Sequence, residues 1–197
     1  MEIILASQSP RRRELLERMG LSGFRTISPD IDEDLGGDLA PSELVSRLSA
    51  RKAQTVGERA GADALIIAAD TVVAVDGAVL GKPADELEAF KMLSTLSGGR
   101  HQVYTGVTVL RGSGQETCCE VTDVSFRELS EGEIEDYIRT GEPMDKAGAY
   151  GIQGYGALFI EGIRGDYYNV MGLPVCRLGG MLERLGVHCM RLAAGGR

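Results

Sequence analysis

Three adjacent arginines follow a short apolar stretch near the N-terminus of this chain. The segment reads LASQSPRRRELL, and Ser9 and Pro10 mark the start of a helix, so the three arginines fall in its first turn. Cations at that position oppose the helix dipole, at a cost of about 0.3–1 kcal/mol each. The free N–H groups of a helix N-terminus attract anions, and nearby serines add hydroxyl donors. We therefore expect a phosphate-binding cradle that includes Ser7, Arg11 and Arg12. The alternative is a solvated basic face.

A second group of candidates follows the apolar run ALIIAA at 64–69. The run predicts a central strand that is buried on both faces and that ends at Asp70. Ligands of α/β proteins bind at the carboxyl ends of strands, where Asp70 can hold a hard cation or accept a proton from water. Thr71 adds a hydroxyl, and Lys82 reaches phosphate oxygens if the chain returns to the same rim. The alternative is a carboxylate that caps a turn and a lysine on the surface.

Three further candidates lie in less specific surroundings. Glu33 belongs to the acidic segment DIDEDLGG, and Lys52 to a predicted helix; taken singly, both are typical of solvated charges. Gln153 lies in GEPMDKAGAYGIQGYG at 141–156, where dense glycines permit close approach of the backbone to a ligand. Its amide carries both a donor and an acceptor, which suits the edge of a nucleobase. The alternative is an Ω-like surface loop, but the length and glycine content favour a function.

The elements that must position these residues are strands and helices in mixed order. Asp76-Gly77 and Gly112–Gly114 predict two hairpin turns, and Ser130 with Glu133 predicts a capping box. Because hairpins join antiparallel strands, the sheet is expected to be mixed. The patterns predict strands at 2–6, 24–28, 64–69, 72–75, 78–80, 102–110, 116–126 and 157–163, helices from 10 to 19, 41 to 60, 84 to 96, 130 to 140 and 173 to 185, and a loose tail from Arg191.

Composition and charge narrow the class of protein. The chain has 197 residues, of which 43% are hydrophobic, and this length suits one domain or two small lobes around a cleft. Its net charge of −8 argues against a nucleic-acid partner, which needs a basic surface. The basic cluster follows the first apolar stretch, the reverse of a signal peptide, and no apolar run suits a membrane span, so we expect a cytoplasmic protein without a membrane partner. The 4 cysteines and 2 histidines lack the spacing of a zinc site.

Six separated segments, in this order, resemble the Maf family of nucleoside triphosphate pyrophosphatases. The resemblance covers nearly the whole chain and implies a single Maf-like domain over residues 1–197. It implies an α/β fold with two lobes around a long mixed β-sheet and a central cleft, shared with inosine triphosphate pyrophosphatases. It also implies hydrolysis between the α- and β-phosphates, which releases a monophosphate and pyrophosphate. The segments are SQSPRR (7–12), AADTVV (68–73), GKP (81–83), HQVYTGV (101–107), EPMDKAGAYGIQG (142–154) and YYNVMGLP (167–174).

The resemblance also bears on the choice of substrate. Arg11, Thr71 and Gln153 match family positions associated with that choice, and the triple is similar to the subgroup that acts on dTTP and UTP. The sister subgroup, which acts on 7-methyl-GTP, has a different loop where this chain reads AGAYGIQG. Family likeness further implies a homodimer. The rival interpretation is a non-catalytic, nucleotide-responsive regulator of cell division and septum formation, which would bind nucleotide without releasing pyrophosphate.

The remaining matches concern catalysis. Asp70 matches the proton acceptor of the family, whereas Glu33, Lys52 and Lys82 match charged positions that line its cleft. A triphosphate carries roughly four negative charges, and its hydrolysis depends mainly on positioning and charge neutralisation. Glu33 and Asp70 are therefore expected to hold a divalent metal, Mg²⁺ or Mn²⁺, with Asp70 as the base; a pure ligand role for Asp70 is the alternative.

Overall fold

The computed structural model describes residues 2–35, 39–61 and 63–195. The chain divides into two compact units, each assembled from separate stretches of sequence. Unit 1 comprises Met1–Asp70, Thr105–Glu120 and Gly172–Arg197, and unit 2 comprises Thr71–Tyr104 and Val121–Met171.

The strands form a mixed sheet, as predicted. The described strands are β1 (Ile3–Ala6), β2 (Arg25–Thr26), β3 (Leu65–Val75), β4 (Ala78–Leu80), β5 (Arg100–Arg111), β6 (Gly114–Phe126) and β7 (Ile160–Arg164). Strand β1 pairs in parallel with β2 and β3, whereas β4 pairs with β3, and β7 with β6, in antiparallel fashion. The order along the 7-stranded sheet is β2-β1-β3-β5-β6-β7, with β4 attached to β3.

Two helices begin at the caps that the sequence predicts. Ser9 caps the first helix through a bond from the Arg12 backbone N–H, and Ser130 and Glu133 form the predicted capping box. No helix in the described part of the chain is long and apolar enough to span a membrane. The described helices are α1 (Pro10–Arg18), α2 (Pro41–Gly57), α3 (Glu86–Leu96), α4 (Glu131–Arg139), α5 (Tyr167–Met171), α6 (Val175–Arg184) and α7 (Cys189–Gly195).

In unit 1, helix α2 packs directly on the sheet. Ala53 and Val56 of α2 share one apolar cluster with Ile4 of β1 and Ile66 of β3. On the same helix, the backbone at Val45 approaches β5 so closely that a Cβ on Gly106 would lie 2.2 Å from the Val45 carbonyl oxygen. Only glycine fits at this contact, so the position of α2 on the sheet is fixed by backbone shape as well as by apolar burial.

In unit 2, the core is built around aromatic rings. His101 and Tyr150 both pack edge-to-face on Phe126, and Tyr137 does so on Phe159. Helices α3 and α4 contribute aliphatic side chains to the same cluster. The 141–156 loop therefore belongs to a packed core through Tyr150 and is not an appendage on the surface.

Several predicted boundaries were wrong. Strand β7 begins at Ile160 and not at Ala157, because residues Tyr155–Phe159 form a 3₁₀ turn whose Leu158 carbonyl accepts a bond from the Arg127 side chain. Helix α6 begins at Val175, after Pro174, and the segment expected to be a loose tail contributes to α7.

Candidate active site

Lys52 lies between two of the predicted carboxylates in unit 1. Its Nζ is 2.5 Å from Asp70 Oδ1 and 2.6 Å from Glu33 Oε1. The Lys52 and Asp70 side chains are only 8% and 9% exposed, whereas Glu33 is 60% exposed. The structure thus brings these three predicted residues together, and the interpretation of Lys52 as an ordinary surface lysine was wrong.

Helix geometry explains why this lysine is buried. Val45, Leu48 and Ser49 lie on the buried face of α2, and Lys52 follows Leu48 by four residues on that face. A buried ammonium needs a compensating charge, and Asp70 of the neighbouring β3 provides it. The ion pair is therefore a product of the helix pattern and of the apolar strand that carries Asp70.

Asp70 lies within β3, not at its end. The prediction that the strand stops at this residue was wrong, because β3 continues to Val75 and there pairs with β4. The β-branched residues at 71–73 favour this extension. Asp70 is nevertheless the last residue of β3 that belongs to unit 1, and Thr71 begins unit 2.

The first turn of α1 forms a second polar cluster in unit 1. Ser7 is 6% exposed, and its Oγ accepts bonds from the Ser9 backbone N–H at 3.1 Å and from Arg12 Nη1 at 3.3 Å. With both acceptor sites of the hydroxyl used, its O–H is left to donate, as a phosphate oxygen requires. Arg12 Nε also donates to the Gly172 carbonyl at 2.8 Å, which fixes the guanidinium.

The two clusters of unit 1 act on each other electrostatically. Burial lowers the pKa of Arg12, and the charges of Asp70 and Glu33 oppose that effect. Arg11, half-buried beside it in the first turn, lowers the pKa of Arg12 further. Unit 1 thus gathers two arginines, a serine hydroxyl, a lysine and two carboxylates.

The other three predicted residues belong to unit 2. Thr71 is half-buried on β3, whereas Lys82 and Gln153 are exposed on the segments after β4 and after Ala149. Gly148 joins these segments, because its N–H donates to the Gly81 carbonyl at 2.9 Å and a Cβ on it would lie 2.7 Å from Val73 Cγ2. Within unit 2, the loop that carries Gln153 is therefore anchored next to the segment of Lys82 and to β3.

Sequence reasoning missed Glu142, the first residue of the EPMDKAG segment. Its Oε1 accepts bonds from the Tyr137 hydroxyl at 2.8 Å and the Gly156 N–H at 3.2 Å, and its Oε2 accepts from the Tyr155 N–H at 2.9 Å. An acidic residue at the start of a glycine-rich stretch is a weak signal, since its partners are defined only by the folded loop.

His101, from the HQVYTGV segment, is a core residue. It is 2% exposed, its Nε2 lies 2.8 Å from the Tyr150 hydroxyl, and burial lowers its pKa to about 4. The four cysteines are free thiols. Across residues 2–35, 39–61 and 63–195, no three His, Cys, Asp or Glu side chains are grouped to hold a metal ion.

Glu33 and Asp70 nevertheless fit the divalent ion that family resemblance implies. Both carboxylates contact the same Lys52 ammonium, which places them near each other. Mg²⁺ is usually bound by one or two carboxylates together with waters and substrate phosphates, and does not need a cage made only of protein ligands. The donor set therefore suits an ion that arrives with a phosphorylated substrate.

Comparison with known proteins gives the family. Residues 2–185 match the family described as Maf-like protein. The chain belongs to the Maf family. Two relatives named dTTP/UTP pyrophosphatase are similar along nearly their whole length. The Bacillus pumilus protein is 49% identical, and the alignment covers 94% of this chain and 97% of that protein. The Pelotomaculum thermopropionicum protein is 50% identical, and the alignment covers 96% of this chain and 99% of that protein.

The fold of this Maf protein also resembles a solved structure. A HAM1 protein from Coxiella burnetii matches 93% of this chain and 99% of its own, with a TM-score of 0.51 and 17% identity. At that identity the likeness concerns the fold alone. The predicted family and the predicted α/β fold are both confirmed.

Proposed function

We propose that this Maf protein is a nucleotide pyrophosphatase that hydrolyses dTTP and UTP to the monophosphate and pyrophosphate. The observation that carries the proposal is the buried Lys52 between Asp70 and Glu33, beside the fixed Arg12. The names of relatives that are about half identical over almost the whole chain support the choice of substrate.

The polar groups of unit 1 bind the triphosphate. Arg11 and Arg12 neutralise phosphate charge, and the Ser7 hydroxyl donates to a phosphate oxygen. Because Arg12 is held by Ser7 and Gly172 before substrate arrives, its charge is in place without reorganisation. Lys82, which matches a charged position of the family's cleft, is proposed to contribute a further cation.

Asp70 accepts the proton of the water that attacks the α-phosphate. Lys52 lies 2.5 Å from Asp70 Oδ1 and provides the compensating charge that this buried carboxylate needs. A divalent ion, Mg²⁺ or Mn²⁺, held by Glu33 and Asp70 would neutralise phosphate charge and polarise the reacting groups. A role of Asp70 as ligand only would leave the base unassigned.

Gln153 reads the base. Uracil and thymine present two carbonyl oxygens on either side of an N3–H, and one amide can donate to a carbonyl and accept from that N–H. Cytosine offers an amino group and an unprotonated N3, which mismatches the same amide. We propose that the bound base covers the exposed amide of Gln153. An unpaired polar group that is buried in this way costs about 1–3 kcal/mol, so we expect kcat/KM for dTTP and UTP to exceed that for CTP by at least about tenfold.

Pyrophosphate release tests the proposal. The purified protein is assayed with dTTP, UTP, CTP and 7-methyl-GTP, with Mg²⁺ or Mn²⁺, beside its Asp70→Asn variant. We expect Asp70→Asn to lower kcat by about 10²–10⁴-fold while thermal unfolding still shows a folded protein. The matched control is Asp76→Asn, the same chemical change in the exposed turn that follows β3.

Each outcome decides a separate point. Wild-type protein that binds dTTP without releasing pyrophosphate refutes the proposed activity and favours the nucleotide-responsive regulator. Full turnover by folded Asp70→Asn refutes its role as base, and a preference for 7-methyl-GTP refutes the pyrimidine assignment. The homodimer implied by family likeness is tested on the same preparation by light scattering.

A further inference from the structure

The loop from Gly141 to Gly156 is folded around a carboxylate that the proposed chemistry does not use. Glu142 accepts three hydrogen bonds, from the Tyr137 hydroxyl and from the backbone N–H groups of Tyr155 and Gly156. Backbone bonds to an ionised acceptor are stronger than those between neutral groups. The chain just after Gln153 is therefore fixed by one side chain.

Tyr137 fixes the backbone just before Gln153 in the same way. Its hydroxyl donates to Glu142 and accepts from the Gly151 N–H at 3.1 Å. The ring is 3% exposed, and burial together with the neighbouring Glu142 raises the pKa of the phenol, which stays a neutral donor. Glu142 and Tyr137 thus hold the backbone on both sides of Gln153.

Two glycines of this loop are required by the close packing around Glu142 and Tyr137. A Cβ on Gly154 would lie 2.3 Å from Glu142 Oε2, and a Cβ on Gly156 would lie 2.7 Å from the Gly151 carbonyl oxygen and 2.9 Å from the Tyr137 hydroxyl. Dense glycine at this point therefore lets the backbone wrap closely around Glu142. The density of glycines, which in the sequence alone indicates close approach of a ligand, is explained here by packing around a carboxylate.

We propose that Glu142 is a positioning residue that, with Tyr137, sets the base selectivity of the enzyme by holding Gln153 in one pose. The inference rests on the proposed function, because it assumes that Gln153 reads the pyrimidine. Gln153 is itself exposed, so its backbone is what limits where its amide can reach. The donor and acceptor of the Gln153 amide can distinguish uracil from cytosine only when the amide is placed to within about 0.5 Å of the position that matches the base. A loosened backbone loses that placement.

The first test measures selectivity. In Glu142→Gln a single amide oxygen replaces two carboxylate oxygens, and the new NH₂ group faces a donor. We expect the ratio of kcat/KM for UTP to that for CTP to fall by roughly three- to tenfold, with a smaller fall in Tyr137→Phe. This ratio does not depend on how much of a preparation is folded. Glu135→Gln, an exposed change on α4, is the matched control and keeps the ratio.

A third variant separates geometry from charge. Gly154→Ala leaves Glu142 unchanged but drives a methyl group into its carboxylate, at the close contact described above. The backbone at Gly154 has φ −112° and ψ −148°, outside the β region that alanine prefers, so the substitution disturbs the local backbone as well as the contact with Glu142. We expect the same loss of UTP over CTP selectivity as in Glu142→Gln.

The second test needs no substrate. Amide hydrogen exchange at Tyr155 and Gly156 should be faster in Glu142→Gln than in the wild type, at Gly151 faster in Tyr137→Phe, and at all three unchanged in Glu135→Gln. Exchange at wild-type rates in the variants overturns the inference whatever the activity of the protein. If Glu142→Gln does not fold, Tyr137→Phe carries both measurements.

The kinetic outcomes separate the inference from the function on which it rests. An unchanged ratio, or an equal loss on UTP and CTP, means that Glu142 does not set selectivity and overturns the inference. An active wild type without any preference for UTP over CTP overturns it as well. A wild type that releases no pyrophosphate from any triphosphate refutes the proposed function, while the exchange measurement still reports on the loop.

Discussion

Acidification to about pH 5 should destabilise this protein through His101. The ring is 2% exposed, its Nε2 faces the Tyr150 hydroxyl, and its Nδ1 has no hydrogen-bond partner among the described residues. Burial lowers the pKa of His101 from 6.5 to about 4. The folded state therefore keeps the ring neutral at a pH where the unfolded chain takes up a proton.

The size of the effect follows from those two pKa values. The contribution of the neutral His101 to the free energy of unfolding is fully present above about pH 6.5. It is lost as the pH falls towards 4, because between these pH values only the unfolded state binds the proton. At about pH 5 the unfolded state is favoured roughly 30-fold by protonation, so the free energy of unfolding falls by about 2 kcal/mol relative to pH 7.5.

Urea denaturation at the two pH values measures this loss. The chain has no tryptophan, so far-UV circular dichroism is the suitable probe. Glutamine at position 101, in His101→Gln, keeps a polar partner for Tyr150 but does not titrate. The difference in the free energy of unfolding between about pH 7.5 and pH 5 should therefore be smaller by about 2 kcal/mol in this variant than in the wild type. The chain has only 2 histidines, so His188→Gln, an exposed change, completes the comparison and should leave the pH dependence unaltered. The same pH dependence in His101→Gln and in the wild type would refute the reasoning.

Three further predictions follow from contacts in the two units. Gln153→Glu should bring kcat/KM for UTP and CTP close together, because a carboxylate cannot donate to a carbonyl oxygen; a wild-type preference in this variant would contradict base reading by Gln153. Lys52→Met should lower the free energy of unfolding, measured by urea denaturation, by about 3 kcal/mol, since Asp70 is left buried without its cation. A wild-type value would mean that the Lys52–Asp70 ion pair does not contribute to stability. Gly106→Ala should lower the free energy of unfolding by about 1–3 kcal/mol, because the new methyl group meets the Val45 carbonyl and helix α2 must move. An unchanged midpoint of urea denaturation would contradict the close packing.

The sequence was most informative where local pattern and tertiary environment agree. The apolar run before Asp70, the capping box at Ser130 and the turn at Asp76-Gly77 were predicted from short segments and are present in the structure. The grouping of Lys52 with Asp70 required more, because Lys52 alone is typical of a solvated charge and Asp70 alone of a carboxylate that caps a turn. Family resemblance provided that grouping, and the buried face of α2 gives its physical reason.

The loop around Glu142 shows what local pattern could not predict. Tyr155 donates to a carboxylate 13 residues earlier in the chain, and that contact exists only once the loop has closed. The same closure turns Tyr155–Phe159 into a 3₁₀ turn where β-forming residues indicated the start of a strand. Strand and helix types were therefore predictable, whereas boundaries and side-chain anchors near the glycine-rich segment were not.

The bond between Arg12 and Gly172 sets an order of events during biosynthesis. Its two partners are separated by 160 residues, so the arginine leaves the ribosome long before its carbonyl acceptor is made. At about 5–20 residues per second, that interval lasts roughly 10–30 s. A nascent chain that already carries Ser7, Lys52 and Asp70 therefore lacks the contact that fixes its guanidinium. The cluster that is proposed to bind phosphate is therefore completed only after Gly172 has been synthesised.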